Sequence, residues 1–285
     1  MQEICKNVYI DTSYEGVTLG ALNWPHGLIM IDSPFRPEDI RSWRASLLNL
    51  GIGSNRLLIN MDCHADRLLG VKAMEATVIA HDEVSDALIS RPATFKTIPS
   101  EMGSEWEKFD NLGNIRWSIP EISFSDQFVI YWDGSPIQLI SRPGCASGAI
   151  WIHLPEEKVL FVGDCVVANQ PPYLSCSNIP VWIQNLKELM SPTYQNYTII
   201  GGRNGILHHS DMEKQIQFLD TVYRQLTQLV ASNSDLAKIN DLAANLAKGF
   251  PVMDQFHKSN NHNRLCFGLM EYYRMHYLKE SEFAA

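Results

Sequence analysis

The feature that most constrains the fold of this chain is the alternation of short apolar runs with amphipathic segments over its first 200 residues. Three β-branched and aliphatic runs, separated by turn residues, predict an initial strand meander over 7–10, 17–22 and 28–31. A helix is predicted over 36–50, where apolar residues recur at helical spacing, and a strand follows at 57–59. This alternation predicts an α/β fold.

The alternation continues after residue 70, although less regularly. We predict a short helix over 71–75, a strand over 77–80 and a helix over 83–89, whereas 91–125 is predicted to be irregular with strand pieces. Four further strands are predicted between turn sequences, over 128–132, 137–140, 149–153 and 159–162. A helix over 183–190 and a strand over 197–200 complete this part of the chain.

The pattern changes after Asp211, because apolar residues then recur only at helical intervals. Beyond a first helix that begins there, we predict helices over 235–248 and 264–278, the first of them ended by Gly249 and Pro251. No linker separates these helices from the rest. We therefore predict an α/β domain over 1–210 and a C-terminal helical appendage over 211–285, packed on the same domain.

Composition limits the partners of this 285-residue chain. Its net charge is −9 and it has no run of Lys and Arg, so nucleic acid and anionic membrane surfaces are not expected to bind. The first residues do not resemble a signal peptide, and no segment has the apolar length of a membrane span. The six cysteines are scattered without metal or disulfide spacing, which predicts a cytoplasmic protein.

Residues with ligand-forming side chains follow the strand at 57–59. Asp62, His64 and Asp66 lie in a loop that runs from this strand into a helix, where α/β sheets commonly present functional groups. An ordinary polar loop with an Asp capping the helix would have the same sequence pattern. Two later segments favour the functional interpretation: a loop over 143–148 before a strand, and Asp164 at the tip of the strand that begins at 159.

These segments resemble the metallo-β-lactamase fold family. That family has a strand meander followed by HxHxDH, PGHxxG, a turn of the LPEEKVLFxGD kind and a GHG loop after a late strand. The similar segments here are 62–67, 143–148, 154–164 and 202–205, in the same order and strand context. The resemblance covers about residues 7–210. It implies an αββα sandwich of two mixed β-sheets, with a C-terminal helical segment.

The resemblance also implies a first metal position with altered ligands. Where the family normally has three His, this sequence has Asp62, His64 and Cys145, and Asp164 matches the carboxylate that bridges two metals. Oxygen, nitrogen and sulfur donors are all acceptable zinc ligands, and three of them plus water describe a catalytic site. We therefore expect at most one divalent ion, with zinc favoured by the thiolate; the alternative is a site without metal.

The second metal position is altered more severely. The family has Asp, His and His there, and the matching residues are Asp66, Arg67 and Arg203. A guanidinium remains protonated and has no lone pair to give a metal. We therefore predict that one of the two arginines hydrogen-bonds Asp66 or Asp164 at about 2.7–3.2 Å in place of the metal. The alternative is that both point to solvent.

Two functions remain open at this level. One is a metal-dependent hydrolase of a small-molecule thioester, ester, lactone or phosphoester, in which Asp66 and Asp164 are catalytic and Arg67 or Arg203 binds an anionic group of the substrate. The other is a catalytically degenerate member of the family that binds a ligand or a protein. His208 is a further candidate for a replacement ligand, because it follows the loop at 202–205.

Overall fold

Two β-sheets packed face to face form the centre of the molecule, and helices cover both outer faces. The structure is a computed structural model that describes residues 1–51, 55–96, 102–109, 112–132, 135–232, 237–252 and 255–278. Both sheets are mixed, so the αββα architecture expected from the sequence is confirmed.

The first sheet contains seven strands in sequence order. They are β1 (Gln2–Cys5), β2 (Val8–Asp11), β3 (Leu19–Trp24), β4 (Gly27–Ile31), β5 (Asn55–Ile59), β6 (Thr77–His81) and β7 (Ile122–Phe124). The strands from β1 to β4 form an antiparallel meander, whereas the pairs from β4 to β7 are parallel. The parallel pairs matter for the site, because their carboxyl ends lie at one edge of the sheet.

The second sheet contains six strands in the order β13-β12-β11-β10-β9-β8. They are β8 (Gln127–Tyr131), β9 (Pro136–Ser141), β10 (Ile150–Leu154), β11 (Val159–Gly163), β12 (Thr198–Gly201) and β13 (Gly205–Ile206). Strands β11 and β12 pair in parallel, and the other pairs are antiparallel. The carboxyl ends of β11 and β12 therefore also lie together.

Seven α-helices accompany the sheets in the described part of the chain. They are α1 (Pro37–Leu48), α2 (Ala65–Leu68), α3 (Asp82–Ser90), α4 (Ile179–Leu189), α5 (His209–Ala231), α6 (Ala237–Ala247) and α7 (Gln255–Tyr277). Within the described ranges, none combines the length and the apolar composition that crossing a lipid bilayer requires.

Three apolar layers hold the sandwich together. Between the sheets pack aliphatic side chains from both inner faces, such as Ile31 and Ile152, all nearly inaccessible to solvent. Helices α1 and α3 cover the outer face of the first sheet, through residues such as Trp43. The outer face of the second sheet packs on α4 to α7, where Trp151 and Leu269 belong to one cluster. The C-terminal helices therefore share a core with the sheet.

The structure differs from the sequence-based prediction mainly at element ends. Helix α7 begins at Gln255 rather than at residue 264, because its first turns are polar and lack apolar periodicity. Asn260 and Asn261 in these turns are nevertheless buried, and Asn261 donates to the Pro251 carbonyl at 3.4 Å. The sequence does not predict strands β1 and β13, since each is short and defined by pairing with a neighbour. The start of the predicted helix at 235–248 lies outside the described residues.

Candidate functional site

The candidate site lies where the carboxyl ends of parallel strands from both sheets meet. Asp32 follows β4, Asp62 follows β5, Asp164 follows β11 and Arg203 follows β12. Arg67 reaches the same place from the short helix α2. All five residues are buried, so the sheet topology brings four strand ends with charged side chains into one cluster.

Asp32 is not among the residues that the sequence predicts for the site. It has a left-handed backbone with φ of 58°, which Asp adopts more readily than most residues. Its Oδ1 accepts a hydrogen bond from the Met61 backbone N–H at 3.0 Å, and its Oδ2 accepts from Arg67 at 2.7 Å. One feature of the sequence could have indicated this residue: Asp32 directly follows the buried strand β4, just as Asp164 directly follows β11.

Arg67 lies at the centre of the cluster and is inaccessible to solvent. Its guanidinium donates to Asp32 Oδ2 and to Asp164 Oδ1, and its Nε lies 3.1 Å from Asp62 Oδ1. Gly202 packs directly against this group: a Cβ at that position would lie 2.4 Å from Nη2. The loop after β12 therefore approaches the guanidinium closely only because residue 202 has no side chain.

Arg203 joins the cluster from the other side. Its Nε donates to Asp164 Oδ2 at 2.8 Å, and its Nη1 donates to Asp66 Oδ2 at 3.0 Å and to the Gly16 carbonyl at 2.8 Å. These distances lie in the range predicted from the sequence for a guanidinium beside these carboxylates. Asp66 also accepts from the Trp106 backbone N–H at 3.3 Å. Both oxygens of Asp66, and both of Asp164, thus accept hydrogen bonds.

Burial and the guanidinium groups have opposite effects on the carboxylates. Burial by itself would raise the pKa of Asp164, but Arg203 and Arg67 outweigh it and hold the pKa below its usual value. At Asp62, burial would also raise the pKa, but the charges of Arg67 and His64 outweigh it, so the pKa is lowered. At Asp32, burial dominates and raises the pKa despite Arg67. Asp62 and Asp164 are therefore anions held by neighbouring cations.

One group of side chains in the cluster could hold a metal ion. Asp62, His64 and Asp164 each offer a donor atom, and these atoms lie within 4.8 Å of one another. His64 Nδ1 is 3.0 Å from Asp62 Oδ1 and 3.5 Å from Asp164 Oδ2. Asp62 Oδ2 is buried and, within the described residues, has no hydrogen-bond partner. This orphaned oxygen and the imidazole fit a single cation. Among the described residues there is no second group of converging donors, and the other buried carboxylates, Asp32 and Asp66, each accept a hydrogen bond from an arginine.

Two other candidate residues are placed differently. Cys145 is buried near the cluster but does not belong to the group of converging donors. Burial raises the pKa of its thiol well above the usual value, with the charges of Cys165, Asp62 and Asp164 adding to the effect, so the weakly coordinating protonated form is favoured. His208 is exposed, and its backbone N–H donates to Asp211 at 3.0 Å at the start of α5.

A cavity of about 430 Å³ opens beside His64. His64 and its neighbours 63 and 65 form one part of the lining, whereas the rest comes from 91–96, 102–106, 117, 173–176 and Phe267 of α7. Aromatic rings dominate it, with Phe95 packed edge to face on Trp106 at 4.9 Å and on Trp117 at 5.5 Å between ring centroids. The sequence places substrate specificity in residues 91–125 and in the C-terminal helices, but it contains no motif there that predicts a cavity, because the cavity forms only when these segments fold together.

A second charged group connects the site to the C-terminal helices. Arg264 of α7 donates to Glu105 at 2.8 Å and to the Gly103 carbonyl at 2.8 Å. Its guanidinium and that of Arg203 both lie over the ring of Tyr173, with Cζ 4.3 and 4.7 Å from the ring centroid. Helix α7 therefore contributes directly to the surroundings of the site.

No protein-family model matches the sequence, so the fold is assigned from its similarity to solved structures. A metallo-β-lactamase from Pontibacter korlensis aligns with a TM-score of 0.61 at 15% identity, over 77% of this chain and 97% of that one. A metallo-β-lactamase family protein from Thermus thermophilus gives 0.66 at 15% identity, over 94% and 93%. A double mutant of the sec-alkyl sulfatase PisA1 gives 0.66 at 14% identity, over 96% and 50%.

The chain therefore has the metallo-β-lactamase fold, as the sequence motifs predicted. Arg67 and Arg203, which the motif resemblance matched to ligands of a second metal, both donate hydrogen bonds to Asp164.

Proposed function

We propose that this protein is a hydrolase of a small organic molecule, with its active site at the Asp62, His64 and Asp164 group. The observation that carries the proposal is that these donors converge next to a cavity of about 430 Å³ whose lining includes His64. A cavity of this size, mostly apolar with a few polar groups, is typical of small-molecule sites. The hydrolase activity is part of the proposal and rests on analogy with the hydrolases among the similar structures, because a fold by itself does not define an activity.

One divalent ion fits the site, held by Asp62, His64 and Asp164. When bound, such an ion would acidify a water molecule and polarise the scissile bond. A donor set of one imidazole and two carboxylates suits zinc. Because this set contains no thiolate, it also suits iron or manganese. Cys145 enters this set only if its buried thiol is deprotonated on metal binding.

The two arginines supply the positive charge that a second metal would otherwise provide. Arg67 fixes Asp32, Asp62 and Asp164 through one guanidinium, and a second guanidinium, from residue 203, links Asp164 to Asp66. In this proposal Asp66 is a positioning residue, because both of its oxygens already accept hydrogen bonds, one from the Trp106 backbone N–H and one from Arg203. The guanidinium groups orient the metal-binding carboxylates, and Nη2 of Arg203 remains a buried donor without a hydrogen-bond partner among the described residues.

A second candidate function is ligand binding without catalysis. The observation that favours it is that both oxygens of Asp164 already accept hydrogen bonds from guanidinium groups. A cluster stabilised in this way needs no metal to remain folded. In this case the cavity beside His64 binds a small molecule that is released unchanged. The six free cysteines support a reducing, cytoplasmic setting for either function.

The test combines metal content with hydrolysis. Metal per chain is measured by plasma mass spectrometry after dialysis, and p-nitrophenyl esters, phosphates and sulfates, a thioester and a lactone are assayed with the same protein. We expect at most one equivalent of metal and hydrolysis of one substrate class. Asp62→Asn and His64→Gln should each lower kcat/KM about 100-fold or more, as expected for loss of a metal ligand or its support.

Two control variants make the result decisive. His208→Gln changes an exposed histidine outside the donor group and should leave both readouts unchanged. Cys145→Ala should leave metal content unchanged if the oxygen and nitrogen donors suffice. Two equivalents of metal would contradict the single-ion site. Absence of both metal and hydrolysis would instead support the second candidate function.

A further inference from the structure

The cavity beside His64 differs in charge from the protein as a whole. The chain has a net charge of −9, yet the ionisable side chains among the described residues that line the cavity are His64, Arg91, Lys96, Tyr173 and two cysteines. None of these lining residues is Asp or Glu. A positive lining in an acidic protein favours an anionic ligand, because the local potential is opposite to that of the surrounding surface.

Arg91 is the cation that the structure holds most firmly in this cavity. Its Nη2 donates to the Cys63 carbonyl at 3.2 Å, and its Cζ lies 5.1 Å from the centroid of the Trp117 ring. Its Nη1 is buried and, among the described residues, has no hydrogen-bond partner. A buried donor without an acceptor is unfavourable, and an anionic oxygen from a ligand would satisfy it.

The rest of the lining is suited to a flat apolar group. The rings of Phe95, Trp106 and Trp117 pack edge to face, so their arrangement is held by mutual contacts before any ligand binds. Met102 and Tyr173 lie in the same lining. Preformed aromatic surfaces contribute affinity with little loss of side-chain freedom.

We propose that the cavity binds an organic anion with a flat apolar body, and that Arg91 binds its anionic head group. The head group is a carboxylate, sulfate or phosphate, all of which offer oxygen acceptors to a guanidinium. This inference rests on the proposed function for the statement that such a molecule is the substrate. The binding itself depends only on the cavity. Arg91 becomes the residue that determines specificity.

The experiment uses naphthalene probes that differ only in their head group. Binding of 2-naphthoate, 2-naphthyl sulfate, 2-naphthyl phosphate and uncharged 2-methoxynaphthalene to the purified full chain is measured by isothermal titration calorimetry. At least one anion should bind about tenfold or more tightly than the ether, which corresponds to one charge-assisted hydrogen bond. Comparison of the three anions identifies the preferred head group.

Variants assign the preference to Arg91. Arg91→Gln should weaken binding of the preferred anion about tenfold to 100-fold and leave the ether nearly unchanged. Arg142→Gln is the matched control, because Arg142 also lies over a tryptophan ring, that of Trp151 at 4.9 Å, but bonds Glu188 outside the cavity. This control should bind like the unmodified chain. If Arg91→Gln does not fold, Arg91→Lys and the dependence of affinity on NaCl concentration give the same information.

Three results would overturn the inference: no probe binds, the ether binds as tightly as the anions, or Arg91→Gln binds like the unmodified chain. The proposed function fails separately. Anion binding that depends on Arg91, without hydrolysis of any substrate, would refute the hydrolase and leave this inference intact. Hydrolysis without preference for anionic substrates, together with equal binding of the ether, would refute only the inference.

Discussion

Arg67 and Arg44 both pair with carboxylates, but in opposite surroundings. Arg67 is inaccessible to solvent and contacts Asp32, Asp62 and Asp164. Arg44 is one-third exposed and donates to Glu75 at 2.9 and 3.1 Å, and Glu75 is itself 70% exposed. The geometry of the second pair is good, yet water competes with it. The comparison teaches that surroundings, more than hydrogen-bond geometry, determine what an arginine contributes.

The largest effect is expected for Arg67→Met. The substitution leaves three buried carboxylates without their shared cation, whereas methionine fills much of the same volume. We expect a loss of about 5 kcal/mol in the free energy of unfolding, the upper end of the range for a broken buried ion pair. Urea denaturation followed by circular dichroism measures it. A variant as stable as the unmodified chain would mean that the carboxylates are not ionised in the folded protein.

A smaller loss and a new property are expected for Arg203→His. The substitution removes the partner of Asp66 and Asp164, at a cost of about 3 kcal/mol in metal-free protein. The new imidazole and the two carboxylate oxygens that Arg203 no longer bonds form a donor set that suits zinc. We therefore expect an additional equivalent of zinc and recovery of stability when zinc is added. The idea that arginine replaces a metal would be refuted if this variant gained no zinc and Arg203→Ala were as stable as the unmodified chain.

An intermediate case is Glu105, which is 9% exposed and pairs with Arg264. Burial opposes its ionisation, but Arg264 and Lys108 outweigh burial and lower its pKa. Because the folded pKa is lowered, the stabilisation is present above the usual Glu pKa, near 4.5, and is lost as pH falls through the lowered folded value.

Glu105→Gln measures this contribution. At pH 7 it should cost about 1–3 kcal/mol, since one charge-assisted bond is weakened. The difference in unfolding free energy between the variant and the unmodified chain should shrink as the pH is lowered below about 4. A difference that stays constant from about pH 7 to about pH 3 would show that the pair does not depend on the carboxylate charge.

The smallest effect is expected for Arg44→Ala. Because water solvates both partners once they separate, the urea midpoint should not change measurably. The same measurement at low and high NaCl concentrations should also agree within error. A clear decrease in the urea midpoint of Arg44→Ala would contradict the conclusion that exposed arginine pairs contribute less to stability than the buried pairs of Arg67.

The fold was predictable because its signals are local. A strand or helix is recognised from the alternation of apolar and polar residues within its own segment, as in the run 28–31, without knowledge of the rest of the chain. The four motif segments then indicated how these strands and helices are arranged in one known fold. The contacts of Arg203 with Asp66 and Asp164 were also predictable, since two buried carboxylates require compensating charge.

Other features of the site depend on tertiary structure and could not be predicted. An Asp after a strand is common, because Asp is a frequent turn residue. Only its hydrogen bond with Arg67 distinguishes Asp32 from an ordinary turn residue, and that bond is a tertiary contact. The sequence predicts Cys145 as a ligand because of its position in a motif. Whether its sulfur joins the donor atoms of Asp62, His64 and Asp164 depends on how two loops from different sheets meet, which the sequence does not show. The cavity combines segments that are far apart in the chain, from 91–96 to Phe267.

The contribution of α7 to the site has a consequence for biosynthesis. Arg264 and Phe267 belong to α7, which follows all other parts of the cavity in the sequence. Phe267 lines the cavity, and Arg264 pairs with Glu105 beside it. Synthesis runs from the N-terminus, so both sheets leave the ribosome before α7 does, although they share a core with it. Until then the Glu105 carboxylate lacks Arg264, and the cavity is open on that side. A nascent chain whose α7 is still inside the ribosome therefore cannot yet enclose a ligand.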